Sequence, residues 1–231
     1  MKQPVKNVVL VHGAFADGSG WEPVFHILIK NGYTVAVVQH PETSYAEDVK
    51  FTKAVIEQQP GPVVLVGHSY GGAIITEAGN HPKVAALVYI AAFGLDTGES
   101  CATIEQAVPP ATTGIKATAD NYFYIDPAVF HADFAADLPE AQAAFMAASQ
   151  VVISADSFTT PVKNPAWKSK PSWYMVATED RSIHPEQERM MAKRMNAKTV
   201  EVKSSHVAYM SHPQETAKLI EEAATSVLVD A

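Results

Sequence analysis

Val63-Val64-Leu65-Val66-Gly67-His68-Ser69-Tyr70-Gly71-Gly72 is the stretch on which the reading of this chain turns. An apolar run stops at a glycine, and a serine follows between glycines in the order G-x-S-x-G. Small and apolar residues (Ala73, Ile74, Ile75, then Ala78) continue at helical spacing. The pattern describes a buried parallel strand that turns abruptly into a helix, with Ser69 on the turn. The serine backbone is strained there, and strand and helix come close only because Gly67 and Gly71 carry no side chain. A hydroxyl is thereby held above the sheet beside a helix N-terminus, as a serine nucleophile requires. The pentapeptide alone arises by chance in roughly one chain in ten of this length. A glycine-rich turn of an ordinary doubly wound fold is the alternative, and the other catalytic groups must decide.

Working outward, the same alternation recurs. Val8 to Val11 is apolar at every position, as in a strand covered on both faces. It ends in the glycine-rich loop His12-Gly13-Ala14-Phe15-Ala16-Asp17-Gly18-Ser19-Gly20. An amphipathic stretch runs from Trp21 to Asn31-Gly32, a strand from Tyr33 to Val38 and a helix from Ser44 to Gln59. Glu47 stands three residues after Ser44, as in a capping box. Val84 to Ala92 is the fourth predicted strand. Strand then helix in this cadence gives an α/β protein with a mostly parallel sheet flanked by helices. The rhythm breaks from Gly94 to Lys170, where prolines, alanine-rich pieces and the cluster Tyr122-Phe123-Tyr124 occur. Its aromatics and aliphatics exclude a disordered linker, and it reads as a small, mainly helical cap inserted at residues 94–170. The core domain is then 1–93 plus 171–231. Strands resume at Ser172 to Ala177 and Thr199 to Val202, with helices from Pro185 to Asn196 and Gln214 to Val227.

The chain has 231 residues, a formal net charge of −8 and 47% hydrophobic residues. That length buries a substantial core. The acidic balance argues against nucleic acid or an anionic membrane surface as a partner. Cys101 is the single cysteine, which suits a reducing compartment. The N-terminal stretch lacks the apolar segment of a signal peptide, and no run is long enough to span a membrane. A cytoplasmic protein is expected. The pattern leaves a homodimer open.

Functional groups of open parallel sheets gather at the carboxyl ends of the strands. The last strand runs into Lys203-Ser204-Ser205-His206 and the one before it into Thr178-Glu179-Asp180-Arg181. The chain order is then Ser69, an acid, His206, as expected when a nucleophile occupies such a turn. A serine hydroxyl is a weak nucleophile until an imidazole takes its proton, and the imidazole needs a carboxylate to fix its tautomer. Asp180 is preferred as that acid because the chain has left the strand by then. Glu179 is the alternative, or else a surface residue paired with Arg181. Of the other histidines, His40, His81 and His212 precede prolines and read as solvated turns. His68 should point away from the serine hydroxyl.

An oxyanion hole needs two backbone N–H groups aimed at the developing charge. Tyr70 supplies one, and Ala14, or else Phe15, supplies the other from the loop after the first strand. That loop does not match G-x-G-x-x-G, and no P-loop lysine follows. No metal-ligand spacing is present either. No cofactor is expected.

These residues resemble the α/β-hydrolase superfamily, and most of all its compact branch of plant methyl esterases and hydroxynitrile lyases. The resemblance covers nearly the whole chain: V-L-V-H-G-A, the G-H-S-Y-G-G turn, the cap, the acid after Tyr174-Met175-Val176 and the late Ser205-His206. It implies an α/β-hydrolase fold, a Ser69–Asp180–His206 triad and an oxyanion hole from Ala14 and Tyr70. It also implies a pocket between sheet and cap, for which Phe15, Phe93, Tyr122, Phe123, Tyr124 and Trp167 are candidates. The lyases resembled carry a lysine after the catalytic histidine, where this chain has Val207, and a threonine at the position of Gly13. Cleavage of a small carboxylic ester is the expected activity. Lyase chemistry and a ligand-binding protein on a hydrolase scaffold are the alternatives.

Overall fold

A computed structural model of the protein describes residues 2–230. Five βα-type units build its centre. Strand β1 (Lys2–Pro4) precedes β2 (Asn7–Val11), α1 (Glu22–Lys30), β3 (Thr34–Val38), α2 (Tyr45–Glu57), β4 (Val63–Ser69), α3 (Tyr70–Ala78) and β5 (Val84–Ala92). After the inserted segment come β9 (Ser172–Ala177), α8 (Pro185–Arg194), β10 (Lys198–Val202), α9 (Ala208–Ser211), α10 (Pro213–Ser226) and β11 (Leu228–Asp230). Six strands pair in the order β10-β9-β5-β4-β2-β3, all parallel. Val8 to Val11, Val63 to Val66 and Leu87 to Ile90 are fully buried, which accounts for their uninterrupted apolar runs. The order reverses between β2 and β4, so the crevice at their carboxyl ends is the topological switch point where open sheets take ligands.

Local chemistry fixes the element ends. Ser44 caps α2, its side chain accepting from Glu47 N at 3.3 Å. Helix α8 stops before the expected Asn196 because that residue is left-handed, with φ 51°. The antiparallel pair of β1 with β11 was not expected, since three-residue strands carry no readable periodicity.

Between β5 and β9 lie α4 (Cys101–Ala107), β6 (Ile115–Ala117), β7 (Tyr122–Ile125), α5 (Pro127–Phe134), α6 (Glu140–Ser149), β8 (Ile153–Ser154) and α7 (Ala155–Thr159). The segment is helical in the main, but β6, β7 and β8 form an antiparallel sheet absent from the sequence reading. Tyr122-Phe123-Tyr124 is its middle strand. The segment is fastened to the carboxyl edge of the large sheet. Ser154 N donates to Glu42 O at 2.9 Å, Thr112 N to Arg181 O at 2.8 Å, and Arg181 pairs with Asp133 at 2.8 Å. No helix among the described residues is long and apolar enough to cross a membrane.

Candidate active site

Ser69 is the last residue of β4 and the N-cap of α3, with φ 52° and ψ −124°. A positive φ in a non-glycine residue costs about 1–3 kcal/mol and persists only where the surroundings enforce it. Two glycines let neighbouring backbone close in on this turn. A Cβ on Gly71 would lie 2.5 Å from His12 O, and one on Gly13 would lie 2.6 Å from Ser69 Cβ. The loop after β2 therefore runs directly against the serine. The Ser69 hydroxyl makes no hydrogen bond among the described residues and does not cap its helix.

His206 and Asp180 come together from the ends of β10 and β9. His206 Nδ1 donates to Asp180 Oδ2 at 2.5 Å. A carboxylate can only accept, so the proton is on Nδ1 and the lone pair of His206 is on Nε2. The other oxygen, Oδ1, accepts from Ser182 N at 2.7 Å and Ile183 N at 3.0 Å, which fixes the carboxylate plane. Glu179 is exposed and faces Lys203 Nζ at 3.6 Å, so of the two acids Asp180 is the one against the histidine. No hydrogen bond joins Ser69 to His206, and catalytic bonds of this kind tighten in the Michaelis or transition-state complex.

His68 links the two halves. Its Nε2 donates to His206 O at 2.9 Å, and its ring lies 4.7 Å from that of His206. Burial, and then the neighbouring His206, hold the pKa of His68 well below the ordinary value. It is a neutral prop. Phe134 of the cap packs against both rings, 4.9 Å from that of His206 and 6.5 Å from that of His68.

The candidate oxyanion donors lie where the two loops meet. Ala14 is buried and follows Gly13, Phe15 is left-handed with φ 62°, and Tyr70 follows the serine. Beneath the loop, His12 Nδ1 donates to Gly13 O at 2.9 Å. Burial, with His40 next in effect, lowers the pKa of His12 to about 3. His40 departs from the solvated turn expected of it. It is 5% exposed, its ring stacks on that of His12 at 3.7 Å, and its Nε2 donates to His12 O at 3.0 Å. A histidine before proline is drawn inside because a carbonyl awaits it there. His12, His40 and Glu42 are also the one buried group among the described residues with metal-ligand proximity. The two rings are only 14° from parallel, so their in-plane lone pairs run side by side and do not converge on one ion.

The expected lining residues divide. Phe93 N donates to Ser69 O at 3.1 Å, which seats Phe93 beside the serine. Phe15 reaches Phe158 of α7 at 6.2 Å, and Phe158 stacks on Tyr70 at 6.0 Å. Phe123 meets Phe158 edge-on at 6.0 Å. Alternation along β7 turns Tyr122 and Tyr124 to the opposite face from Phe123. Trp167 instead donates from Nε1 to Leu95 O at 2.8 Å. Phe134, Phe158 and His68 were missed as neighbours of the site. The phenylalanines sit in short cap helices whose docking no local pattern reveals. A cleft of about 200 Å³ opens on the outer side of Phe15, with Phe145, Met146 and Tyr209 among its walls.

With this geometry in view, residues 8–219 match the model of the alpha/beta hydrolase family. The chain belongs to that family. Within it, the carbendazim hydrolyzing esterase of Nocardioides sp. (strain SG-4G) is 32% identical over 119 residues, a match spanning 45% of this chain and 49% of that one. The pyrethroid hydrolase from Sphingobium faniae JZ-2 superposes with a TM-score of 0.79 at 24% identity, covering 95% of this chain and 97% of that one. Polyneuridine aldehyde esterase superposes with a TM-score of 0.79 at 19% identity, covering 94% and 98%. At these identities the structural likenesses establish the shared fold. The α/β-hydrolase fold expected from the sequence is therefore the fold of this chain.

Proposed function

We propose that the protein is a cofactor-independent serine esterase that cleaves small carboxylic esters through an acyl-enzyme. The observation that carries this reading is the buried Asp180–His206 hydrogen bond of 2.5 Å, in a chain that also holds Ser69 at φ 52° on the strand-to-helix turn. Ser69 Oγ attacks the ester carbonyl while His206 Nε2 takes its proton. The Ala14 and Tyr70 amides receive the oxyanion. The tetrahedral intermediate collapses as His206 returns the proton to the departing alcohol. Water then attacks the acyl-serine with His206 again as base, releasing the carboxylic acid and restoring Ser69. Asp180 keeps the imidazole in one tautomer and stabilises the imidazolium.

The esterase and hydrolase names of the relatives support the reaction class. Two features weigh against lyase chemistry. Val207 follows His206, so no lysine stands there to stabilise a cyanide leaving group. A β-carbon at position 13 would also meet Ser69 Cβ at 2.6 Å, which leaves no space for a threonine. The small substrate ester, the absence of nucleic-acid or membrane partners and a cytoplasmic setting remain part of the proposal. Burst kinetics with p-nitrophenyl acetate and butyrate, alongside Ser69→Ala, test it. A burst stoichiometric with enzyme and lost in the variant is expected. Equal release by both proteins would refute the reading.

A further inference from the structure

We propose that Asp48, which touches no reacting atom, is a positioning residue that holds both walls of the oxyanion hole; the proposal rests on the esterase reading above. Asp48 lies on α2 and is fully buried. Its Oδ2 accepts from the Tyr70 hydroxyl at 2.7 Å and from Ser157 Oγ at 3.3 Å. Its Oδ1 accepts from Glu42 N at 2.8 Å, and His40 Nδ1 lies 3.5 Å from the same oxygen. The opposite ring nitrogen of His40, Nε2, donates to His12 O at 3.0 Å.

The consequence is geometric. Tyr70 carries one oxyanion amide on its backbone, and its phenol ties that residue to Asp48. Ala14 carries the other amide, two residues beyond His12, and His12 O is held by His40, which abuts the same carboxylate. That carbonyl is also the atom a Cβ on Gly71 would strike at 2.5 Å, so its placement sets the gap between loop and elbow. One side chain thus spans the two segments whose spacing defines the hole, and Ser157 brings in the cap as a third. Both Asp48 oxygens are engaged by hydrogen bonds from Glu42 N and from the Tyr70 and Ser157 hydroxyls, while the His40 ring meets it by packing alone. A carboxylate so held is rigid, and oxyanion catalysis depends on donors fixed to a fraction of an ångström. A carboxylate costs several kcal/mol to bury, so packing alone would be served as well by an apolar residue.

The test compares wild type with Asp48→Asn, Tyr70→Phe and Ser157→Ala. Tyr70→Phe keeps the amide and the ring and removes only the hydroxyl bonded to Asp48. The readouts are kcat and KM for p-nitrophenyl acetate, and inhibition by an alkyl trifluoromethyl ketone and the matching methyl ketone. The fluorinated ketone adds to Ser69 and forms an oxyanion, whereas the methyl ketone serves as the ground-state comparator. For Asp48→Asn and Tyr70→Phe, kcat should fall about 10- to 100-fold, short of the loss of a whole donor. KM should stay within about twofold, and affinity for the trifluoromethyl ketone should fall by the same factor as kcat while the methyl ketone is unaffected. Ser157→Ala leaves both walls tied and should keep kcat within about twofold. Should Asp48→Asn lose cooperative unfolding, Tyr70→Phe alone carries the test. Lowered Tm with wild-type kcat and trifluoromethyl ketone affinity in both variants would overturn the proposal. If wild type turned over ester no faster than Ser69→Ala, the esterase reading would fall first, and this proposal with it.

Discussion

Replacing Gly13 with alanine would drive a methyl group to 2.6 Å from Ser69 Cβ, 2.9 Å from His68 Nδ1 and 3.0 Å from His68 O. The backbone at Gly13 is not among the left-handed glycines, so an L-residue suits its dihedrals and the conflict is purely one of space. Carbon atoms rest at about 3.5–4.0 Å, so the loop must retreat by roughly 1 Å. None of the three obstacles is a flexible side-chain tip: two belong to the elbow backbone or its first carbon, and the His68 ring is pinned to His206 O. A retreat of that size carries the Ala14 amide out of the 2.7–3.1 Å window in which an oxyanion donor works. Removing one donor lowers kcat about 10²–10³-fold, or roughly 2.7–4 kcal/mol of transition-state stabilisation. The fold itself should lose about 1–3 kcal/mol, the usual cost of overpacking. Steady-state hydrolysis of p-nitrophenyl acetate together with urea unfolding separates the two effects. A cooperatively folded Gly13→Ala protein with wild-type kcat would mean that the Gly13–Ala14 loop forms no wall of the site.

Further outcomes follow from other residues. Asp180→Asn should lower kcat on the order of 10⁴-fold by releasing the His206 tautomer, whereas Glu179→Gln, at an exposed position, should leave it within about twofold, both read by steady-state kinetics. Burial, and then the charge of Asp48, raise the Glu42 carboxyl well above its ordinary pKa of 4.5 in the folded protein. The unfolded chain therefore releases that proton first as pH rises above 4.5, and the wild type loses stability there. Glu42→Gln cannot ionise, so its stability relative to wild type should rise by about 1.4 kcal/mol per pH unit upward from that value and flatten once the folded-state group titrates. Urea unfolding across pH checks this, and a pH-independent difference would contradict it. Phe158→Ala removes the ring that closes over Tyr70 and Phe15 and should raise the butyrate-to-acetate ratio of kcat/KM roughly tenfold.

The parts legible from the residues alone are those with a short-range cause. Gly67-His68-Ser69-Tyr70-Gly71 reads as a strand-to-helix turn because glycine and strain leave few alternatives. Asp180 and His206 could be located because parallel strands deliver their functional groups at one edge. What stayed hidden needed distant partners. His40 stands before a proline like a surface residue, yet a carbonyl 28 residues earlier in the chain draws it inside. Ile153 and Ser154 form a strand only because β7 lies beside them. Phe134 and Phe158 reach the site through cap helices whose docking depends on contacts such as Arg181 with Asp133. The cap aromatics nearest one another in sequence, Tyr122, Phe123 and Tyr124, separate across the two faces of one strand, which identity and proximity alone do not disclose.

Acid-quenched turnover of p-nitrophenyl acetate, followed by peptide mass analysis, shows whether Ser69 carries the acyl group. One acetyl group per chain is expected, carried on the peptide containing Ser69, absent from Ser69→Ala and accumulating in His206→Ala only on a far slower timescale. An acetyl group on another residue, or turnover that survives in Ser69→Ala with no acylated peptide, would contradict that role of Ser69.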